Sequence, residues 1–428
     1  MYEVKSFRIE KLWGTKNIEI PLQNPTKVSI LIGKNGTGKT TVINLLKAIL
    51  EVDTKALGET PFEKAIVRLI DTENNRQRTI TIWVEMREDS VYDSIFYRIS
   101  RGKPKEVRHY SDASRRAFMV RRGQMHEGES EVRKLMSGLV NIYSISVYRD
   151  MSAELYREPY EDRGERRKNS VDVRLEYLMM QLTRYLLEIS DLIAIETEAL
   201  QKELLKLILF DRTNDSAKRL LDTVKSNFDK NAVAKSLKRI YRELGVRDVD
   251  RTIEEHTKKL DQIILRFKKD GTLKFEDVSA LPLHSRAMLL AKKSLESQNC
   301  KDKIREPVST FLDMLNKFMS PKVFREDPNY GLCVESITGE MRVSSLSSGE
   351  KQLLILLVES LLQRQKQCLF IADEPELSLH VEWQEKLIRS IVKINPAAQV
   401  VVATHSPEIA AHHEETIIDM EEVASGAN

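Results

Sequence analysis

The residues best suited to chemistry lie near the start of the chain, in the segment GKNGTGKT at positions 33–40. The segment follows the apolar run KVSILIG and leads into the amphipathic run TTVINLLKAIL, which predicts a strand before it and a helix after it. A G-x-x-x-x-G-K-T phosphate loop requires this context. By average composition, the pattern arises by chance in a chain of this length on the order of one per cent of the time. We therefore predict a nucleotide site.

Each residue type in such a loop has a physical role. The glycines let the backbone wrap so that successive amides face the β-phosphate, and the helix N-terminus adds its dipole. Lys39 is expected to reach the β- and γ-phosphates, and the Thr40 hydroxyl is expected to bind Mg²⁺. The predicted nucleotide-binding residues of this loop are Gly33, Lys34, Asn35, Gly36, Thr37, Gly38, Lys39, Thr40 and Thr41.

Two carboxylates end a second apolar run, CLFIADEP at positions 368–375. At the tip of a buried strand, Asp373 suits a direct or indirect hold on Mg²⁺. Glu374 is placed to orient and deprotonate an attacking water, as phosphoryl transfer needs. Taken alone, the pair is better read as two solvated acids at a strand end. The phosphate loop upstream reverses that balance and predicts a metal ligand and a catalytic base.

A histidine ends a third apolar run, VVVATHSPEIA at positions 400–410. At a strand tip beside a nucleotide, His405 could bond the γ-phosphate and sense its presence. The alternative is a plain helix start, because Ser406 and Pro407 have the order of an N-cap followed by proline at the first helical position. With two matching motifs before it, we predict the catalytic role.

The segment VSSLSSGEKQ at positions 343–352 stands before a long apolar run. Ser347 is a good N-cap, and Glu350 three residues later completes a capping box. Gly349 allows another group to approach the backbone closely. A capping box alone predicts only the start of a helix, so the rest of the chain must decide whether this one does more.

Composition narrows the class of protein. The 428 residues include 68 basic and 65 acidic ones, a formal net charge of +3, so any contact with nucleic acid must come from a local patch. The three cysteines are far apart, which argues against disulfides and a zinc site and favours a reducing compartment. The start of the chain has no signal-peptide core, and nowhere are there eighteen consecutive apolar residues. We expect a cytoplasmic protein without a membrane partner.

Strand-like ends flank a helical middle of roughly 180 residues. Residues 79–86 and 93–100 predict an antiparallel strand pair, and the forty residues from Val171 predict one long helix or a pair of helices. If the ends share one sheet, the middle is an insertion. The predicted organisation is an N-terminal half-head over 1–150, a helical insertion over 151–325 and a C-terminal half-head over 326–428.

The four motifs stand in an order that resembles the head of an ABC ATPase: phosphate loop, LSSGE, a strand ending in DE, and a strand ending in His. The resemblance implies an α/β fold with mixed and antiparallel sheets, a phosphate loop and a large helical or coiled-coil insertion. It also implies that ATP and Mg²⁺ are bound and that ATP is hydrolysed. In such heads, the residues matching Ser347, Ser348, Gly349 and Glu350 cap the γ-phosphate held by a second copy, which implies a head-to-head dimer.

The segment ADEPELSLHVEWQEKL and the N-terminal run VKSFRIEKLWGTKNIEIPL narrow the resemblance to the overcoming-lysogenization-defect (OLD) and RecF-like ATPases. No CxxC motif marks the insertion, which disfavours a zinc-hook repair ATPase. Only 23 residues follow His405, which leaves no room for the nuclease domain of a true OLD protein. The chain thus resembles the ATPase subunits of two-gene anti-phage systems, AriA of PARIS and PtuA of Septu.

That resemblance implies partners. The expected ones are a second copy of the chain, a separate effector such as a nuclease or toxin, and a phage-encoded trigger. The alternative is a RecF- or SMC-like ATPase of DNA repair or maintenance whose closed dimer grips duplex DNA. A transporter head is disfavoured, because such heads are shorter and usually carry a different stretch after the DE pair.

Two weaker features concern coupling and DNA. Gln124 resembles the glutamine that couples Mg²⁺ and water to the insertion in repair-type heads, and Arg149 is the competing candidate for that position. The stretch 101–123 holds eight basic residues against two acids and could follow phosphates. Such a stretch is more often a solvated strand-and-loop face.

Overall fold

The computed structural model describes residues 1–85, 92–110, 127–146, 170–208, 229–243, 248–271, 275–327, 329–411 and 413–426. The chain divides into two compact units. One unit is formed by Met1–Arg184 together with Pro307–Asn428, and the other by Tyr185–Glu306. We call these the head unit and the helical unit. The domain limits at 151 and 325 remain a prediction about organisation.

The larger sheet of the head unit is antiparallel and has seven strands in the order β15-β2-β1-β4-β5-β6-β7. Alternating burial explains it, since residues such as Phe7 and Ile9 face the core while their neighbours are more exposed. The predicted pair at 79–86 and 93–100 is confirmed as β5 and β6. These strands are β1 Glu3–Leu12, β2 Lys16–Pro21, β4 Lys64–Asp71, β5 Arg76–Glu85, β6 Tyr92–Ile99, β7 Lys105–Tyr110 and β15 Ala424–Gly426.

The second sheet of the head unit is parallel and has five strands in the order β14-β3-β13-β12-β8. Continuous apolar runs explain why its central strands are buried on both faces. Because all five strands run the same way, their carboxyl ends share one edge, where ligands bind in sheets of this kind. The strands are β3 Val28–Ile32, β8 Ile142–Ser146, β12 Cys368–Asp373, β13 Ala398–Ala403 and β14 Ile417–Asp419.

A small antiparallel sheet of three strands, β9 Val323–Asp327, β10 Gly331–Ser336 and β11 Gly339–Met341, completes the strands of the head unit. The predicted α/β class is confirmed, with antiparallel and parallel sheets and long helices.

The described helices range from single turns to very long rods. The described part of the forty-residue apolar pattern, residues 171–208, lies in one helix, α4, rather than in a pair. The helices are α1 Lys39–Glu51, α2 Thr54–Glu59, α3 Glu127–Leu139, α4 Ser170–Ile208, α5 Lys230–Glu243, α6 Asp250–Asp270, α7 Phe275–Phe318, α8 Ser348–Leu362, α9 Val381–Ile394, α10 Pro407–Ala410 and α11 Met420–Val423. None of them, over the ranges given above, is long and apolar enough to cross a membrane.

Candidate functional site

The phosphate loop joins β3 to α1 with a backbone that needs glycine. The φ angles of Gly33, Gly36 and Gly38 are 144°, 82° and 104°, a region that side chains disfavour. A Cβ on Gly33 would lie 3.1 Å from Thr37 Oγ1 and 3.3 Å from the Cβ of Met420. The loop is therefore wrapped tightly, and α1 starts at Gly38 without a side-chain cap.

Lys39 lies beneath this loop and is only 5% exposed. Its Nζ donates to the carbonyl oxygens of Gly33, at 2.7 Å, and Lys34, at 3.2 Å. Burial lowers the pKa of Lys39, and the nearby carboxylates of Asp373 and Glu374 partly oppose that shift. The ammonium group is thus held inside the curve of the loop, where a phosphate could replace the carbonyl oxygens as its partner.

Thr40 and Asp373 meet across the edge of the parallel sheet. The Thr40 hydroxyl donates to Asp373 Oδ1 at 3.2 Å, although the two residues are 333 positions apart in the chain. Burial raises the pKa of Asp373, the hydrogen bond from Thr40 opposes this, and the charge of Glu374 adds to it. A hydroxyl and a carboxylate are hard oxygen ligands of the kind that Mg²⁺ takes together with substrate phosphates. The donor set fits a Mg²⁺–nucleotide site.

No group of three or more His, Cys, Asp or Glu side chains in the described part of the chain could hold a metal by itself.

Glu374 has an unusual backbone. Its φ is 47°, in the left-handed region, and its amide donates to the carbonyl of Ala403 at 2.8 Å. Its Oε1 lies 3.9 Å from Nε2 of His405. Residues kept in sparsely populated backbone regions cluster at functional sites, because the surrounding structure has to hold them there. The structure brings the predicted base and the predicted γ-phosphate sensor side by side.

Glu376 is a residue that the sequence reasoning missed. It is 8% exposed, and its Oε1 accepts hydrogen bonds from the Thr404 hydroxyl and from the His405 amide at 3.0 Å. Its other oxygen, Oε2, is buried without a partner among the described residues. Glu376 therefore fixes the backbone that carries His405. The sequence does contain a sign of this role, because Glu376 is a third acid in the segment DEPE, two residues after Glu374.

The predicted capping box at the start of α8 is present. The Ser347 side chain accepts from the Glu350 amide at 3.3 Å, and Glu350 accepts from the Ser347 amide at 2.9 Å. Lys322 Nζ lies 2.5 Å from Glu350 Oε1. Burial works to raise the pKa of Glu350, but hydrogen bonds from Lys322 and Ser347 keep it below its ordinary value. The box uses the amides of Ser347 and Glu350 and leaves those of Ser348 and Gly349.

Gly349 has a contact within its own chain that the sequence did not reveal. A Cβ at this position would lie 2.4 Å from the carbonyl oxygen of Ser378, closer than side chains approach. The close approach predicted for Gly349 is thus made by the ELSLH segment that follows the DE pair. Over the described ranges, no hydrogen bond or ion pair joins Ser347–Glu350 to the phosphate loop.

Two further groups touch the phosphate loop from distant segments. The ring of Trp13, in the turn between β1 and β2, would lie 3.1 Å from a Cβ on Gly38, and Lys16 lies 5.4 Å from its centroid. Glu421, in α11, pairs with Lys34 at 3.2 Å. Neither carries a motif that the sequence alone could single out.

Other predicted features lie, wholly or in part, outside the residues that the structure describes. Gln124, Arg149 and residues 111–123 of the basic stretch lie outside the described residues. Residues 101–110 are described and include β7. The choice between Gln124 and Arg149 stays a prediction.

A comparison with protein-family models decides the class of this chain, because the model described as "AAA ATPase domain" matches residues 3–410. The chain belongs to this AAA ATPase family. Membership supports ATPase activity in general. It does not by itself assign a role to any one residue.

Two curated relatives match this AAA ATPase in part. A "Retron Vc95 probable ATPase" from Vibrio cholerae serotype O1 biovar El Tor is 25% identical over 179 residues, 35% of this chain and 34% of that one. The "Septu protein PtuA" from Bacillus thuringiensis is 31% identical over 111 residues, 23% of this chain and 27% of that one. The chain therefore spans about a third or less of the length of these relatives. The resemblance to Septu PtuA predicted from the sequence is confirmed.

Among solved structures, the chain is similar to an Smc head domain with an extended coiled coil from Pyrococcus furiosus. The TM-score is 0.47 and the identity 15%, with 100% of this chain and 96% of that one covered. A second Smc head, with a coiled coil and joint from Pyrococcus yayanosii, gives a TM-score of 0.46 at 17% identity, covering 100% and 97%.

Proposed function

We propose that this ATPase is a switch that closes on ATP as a head-to-head dimer, hydrolyses the ATP and thereby controls a separate effector protein. The single observation that carries the proposal is the convergence at the edge of the parallel sheet. There Lys39 lies beneath the loop, Thr40 contacts Asp373, and Glu374 stands beside His405.

In the proposed site, the loop from Gly33 to Thr41 holds the phosphates through its amides and Lys39. Thr40 and Asp373 would hold Mg²⁺, which supplies charge neutralisation at the β- and γ-phosphates when it is bound. The partly lowered pKa of Lys39 reflects burial, which a phosphate offsets by bringing negative charge to the ammonium group.

Glu374 is the proposed base. Its carboxylate orients the attacking water and accepts its proton, while the terminal phosphoryl group passes to that water and ADP leaves. His405 donates a hydrogen bond to the γ-phosphate and thereby reports its presence. Glu376 keeps His405 in register through the backbone amide, so its role is positional.

Ser348 and Gly349 are the proposed contact with the nucleotide of a second copy. Their amides are left over by the capping box, and they stand at the positive end of the α8 dipole, which favours an anion. The box and the ion pair between Lys322 and Glu350 stiffen that terminus. This part of the proposal rests on the ABC-head resemblance.

The helical insertion is the proposed output element, with the predicted limits 151 and 325. Two ion pairs join the first turns of α4 to helix α8 within the head unit. Asp172 Oδ1 lies 2.7 Å from Lys351 Nζ, and Arg174 pairs with the nearly buried Glu359. A shift of α8 during closure would therefore pull on the base of α4.

An anti-phage role is proposed from the relatives, since PtuA is named as a Septu protein and the other relative as a retron ATPase. In this role the effector is a nuclease or toxin and the trigger is phage-encoded. Linkage requires that a partner whose affinity depends on ATP must in turn change the affinity for ATP.

The test has two arms on the purified full chain. ATP should convert monomers into dimers in analytical ultracentrifugation while ADP does not, and phosphate release should require Mg²⁺. Affinity capture from the native host with and without ATP should then recover a nuclease or toxin in a nucleotide-dependent manner. A chain that binds no ATP would refute the switch, and capture of a DNA-repair complex would refute the defence role alone.

A further inference from the structure

The helical unit contains a hairpin whose two helices, α5 and α6, pack through a small apolar core of their own. Val233, Leu237 and Ile240 of α5 are buried against Ile253 of α6. Along one side of this core the helices leave a groove of about 920 Å³. The groove belongs to the helical unit and shares no residue with the ATP site.

Positive charge dominates the groove. Seven lysine and arginine residues line it against two glutamates. On α5, Lys235, Lys238 and Arg242 recur at spacings of three and four residues, so they form one stripe along the helix. Arg251 and Lys258 lie across from them on α6. The whole chain has a net charge of only +3, so this concentration is local.

Ion pairs within the hairpin do not neutralise the groove. Lys235 and Lys258 are exposed and have no carboxylate within ion-pair distance over the described ranges. Three of the other cations pair with acids of α6. These pairs are Lys238–Glu254 at 2.5 Å, Arg242–Asp250 at 3.4 Å and Arg251–Glu255 at 3.0 Å. Lys235 and Lys258 therefore remain available to a partner.

We infer that this groove binds the phosphate backbone of duplex nucleic acid. A stripe of cations on α5 with two further cations across the groove on α6 suits a row of phosphates, which is bound by charge and counterion release without reading the bases. Ala234 is the single apolar residue of the lining, so the groove offers no pocket for the apolar anchors of an acidic peptide. The lining also contains no aromatic platform for the stacked bases of a single strand.

The experiment measures binding of the full chain to a labelled 20-base-pair duplex by fluorescence anisotropy, without nucleotide and over a series of salt concentrations. The groove variant is Lys235→Glu with Lys258→Glu. The matched control is Lys268→Glu with Lys269→Glu, which makes the same charge change at exposed positions of α6 outside the groove. Thermal unfolding of both variants checks that the hairpin is intact.

We expect the groove variant to bind the duplex at least about tenfold more weakly, with the slope of log K against log[salt] reduced by about 2, since each phosphate contact contributes about −0.9. The control should bind like the natural chain. The proposal is overturned if the natural chain does not bind duplex, if both variants lose affinity equally, or if the groove variant binds normally. It is also overturned if poly-glutamate binds with this dependence on the groove and duplex does not. The inference does not depend on the proposed switch, because duplex binding is measured without nucleotide. ATP hydrolysis by the groove variant is measured in a separate assay.

Discussion

Two helices of the head unit start next to glycines, yet their first turns are built in opposite ways. The α1 helix starts at Gly38, in a left-handed conformation, and no side chain caps it. The α8 helix starts at Ser347, and a complete capping box with Glu350 satisfies two of its first amides. Every helix N-terminus leaves amides that need a partner. At the first helix no side chain meets that need, and we propose a phosphate as the partner; the second helix satisfies two of these amides, those of Ser347 and Glu350, within the chain.

From this difference we infer different tasks for the two termini. At α1, no side chain caps the terminus and Lys39 lies beneath the loop, so we expect phosphate binding to order this terminus. At α8, the box and Lys322 fix the turn beforehand, and a rigid pair of amides at Ser348 and Gly349 is left over. Rigid donors suit a contact made only when a second molecule arrives, because little ordering remains to oppose it.

The largest expected effect comes from removing the cation of the first terminus. Lys39→Ala should weaken ATP binding by about 100-fold, since charge-assisted hydrogen bonds contribute about 1.5–3 kcal/mol each. Hydrolysis and dimerisation should disappear with it. Isothermal titration calorimetry measures the affinity, and Lys47→Ala, farther along the same helix, is the control. Unaltered ATP affinity in Lys39→Ala would show that the loop does not hold nucleotide.

The next effect separates binding from chemistry at the first terminus. Glu374→Gln should keep ATP affinity and lower kcat by about 10²–10⁴, the contribution of a positioned base. It should also trap ATP-bound dimers, because the base is gone while repulsion near the γ-phosphate falls. Phosphate release and sedimentation measure the two outcomes. Glu382→Gln, at an exposed carboxylate of α9, is the control, and normal turnover by Glu374→Gln would remove it from the role of base.

The second terminus is tested by Ser348→Arg, because Ser348 is exposed whereas any side chain at Gly349 would collide with Ser378. The bulky residue should spare ATP binding by the monomer and block ATP-dependent dimers and hydrolysis. Ser137→Arg, at an exposed serine of α3, is the control. If Ser348→Arg hydrolyses ATP normally, the SSGE segment is only a helix cap.

Mixing two inactive variants tests the same comparison between the α1 and α8 termini. In a dimer of Lys39→Ala with Ser348→Arg, both lesions can fall on one composite site, which leaves the other site with an intact loop facing an intact α8 terminus. ATPase activity should therefore recover in part when the two inactive proteins are mixed, if one composite site can hydrolyse ATP without the other. Recovery would place the two termini in one site made by two copies.

The sequence predicts best those features that a few consecutive residues determine. The phosphate loop spans eight consecutive residues, 33–40, and the capping box four, 347–350, so both can be recognised from the sequence alone. The partners of these segments come from elsewhere: Ser378 against Gly349, and Trp13 against Gly38. Such contacts depend on tertiary packing, and neither Trp13 nor Ser378 has a spacing that marks it. Glu376 can be seen in the sequence next to the DE pair. Its positional role is apparent only in the folded structure, where it accepts a hydrogen bond from the His405 amide.

The smallest expected effect concerns that positional residue. Glu376→Ala removes the acceptor of the Thr404 hydroxyl and the His405 amide, and leaving buried donors unsatisfied costs about 1–3 kcal/mol each. The segment carrying His405 should loosen, so kcat should fall by about tenfold while KM for ATP stays near its natural value, since phosphate binding does not pass through Glu376. Steady-state kinetics on protein checked for folding measures both constants.

The conservative variant shows whether Glu376 acts through its negative charge or by positioning His405. Glu376→Gln keeps an oxygen that can accept both hydrogen bonds, and its amide nitrogen takes the place of Oε2, which has no partner among the described residues. If Glu376 acts by holding His405, the glutamine variant should restore most of the kcat lost in Glu376→Ala. If both variants lose kcat equally, the negative charge itself acts on the nucleotide site, and Glu376 belongs with Asp373 and Glu374. If KM rises with little change in kcat, the residue supports nucleotide binding, and the positional role assigned to it is wrong.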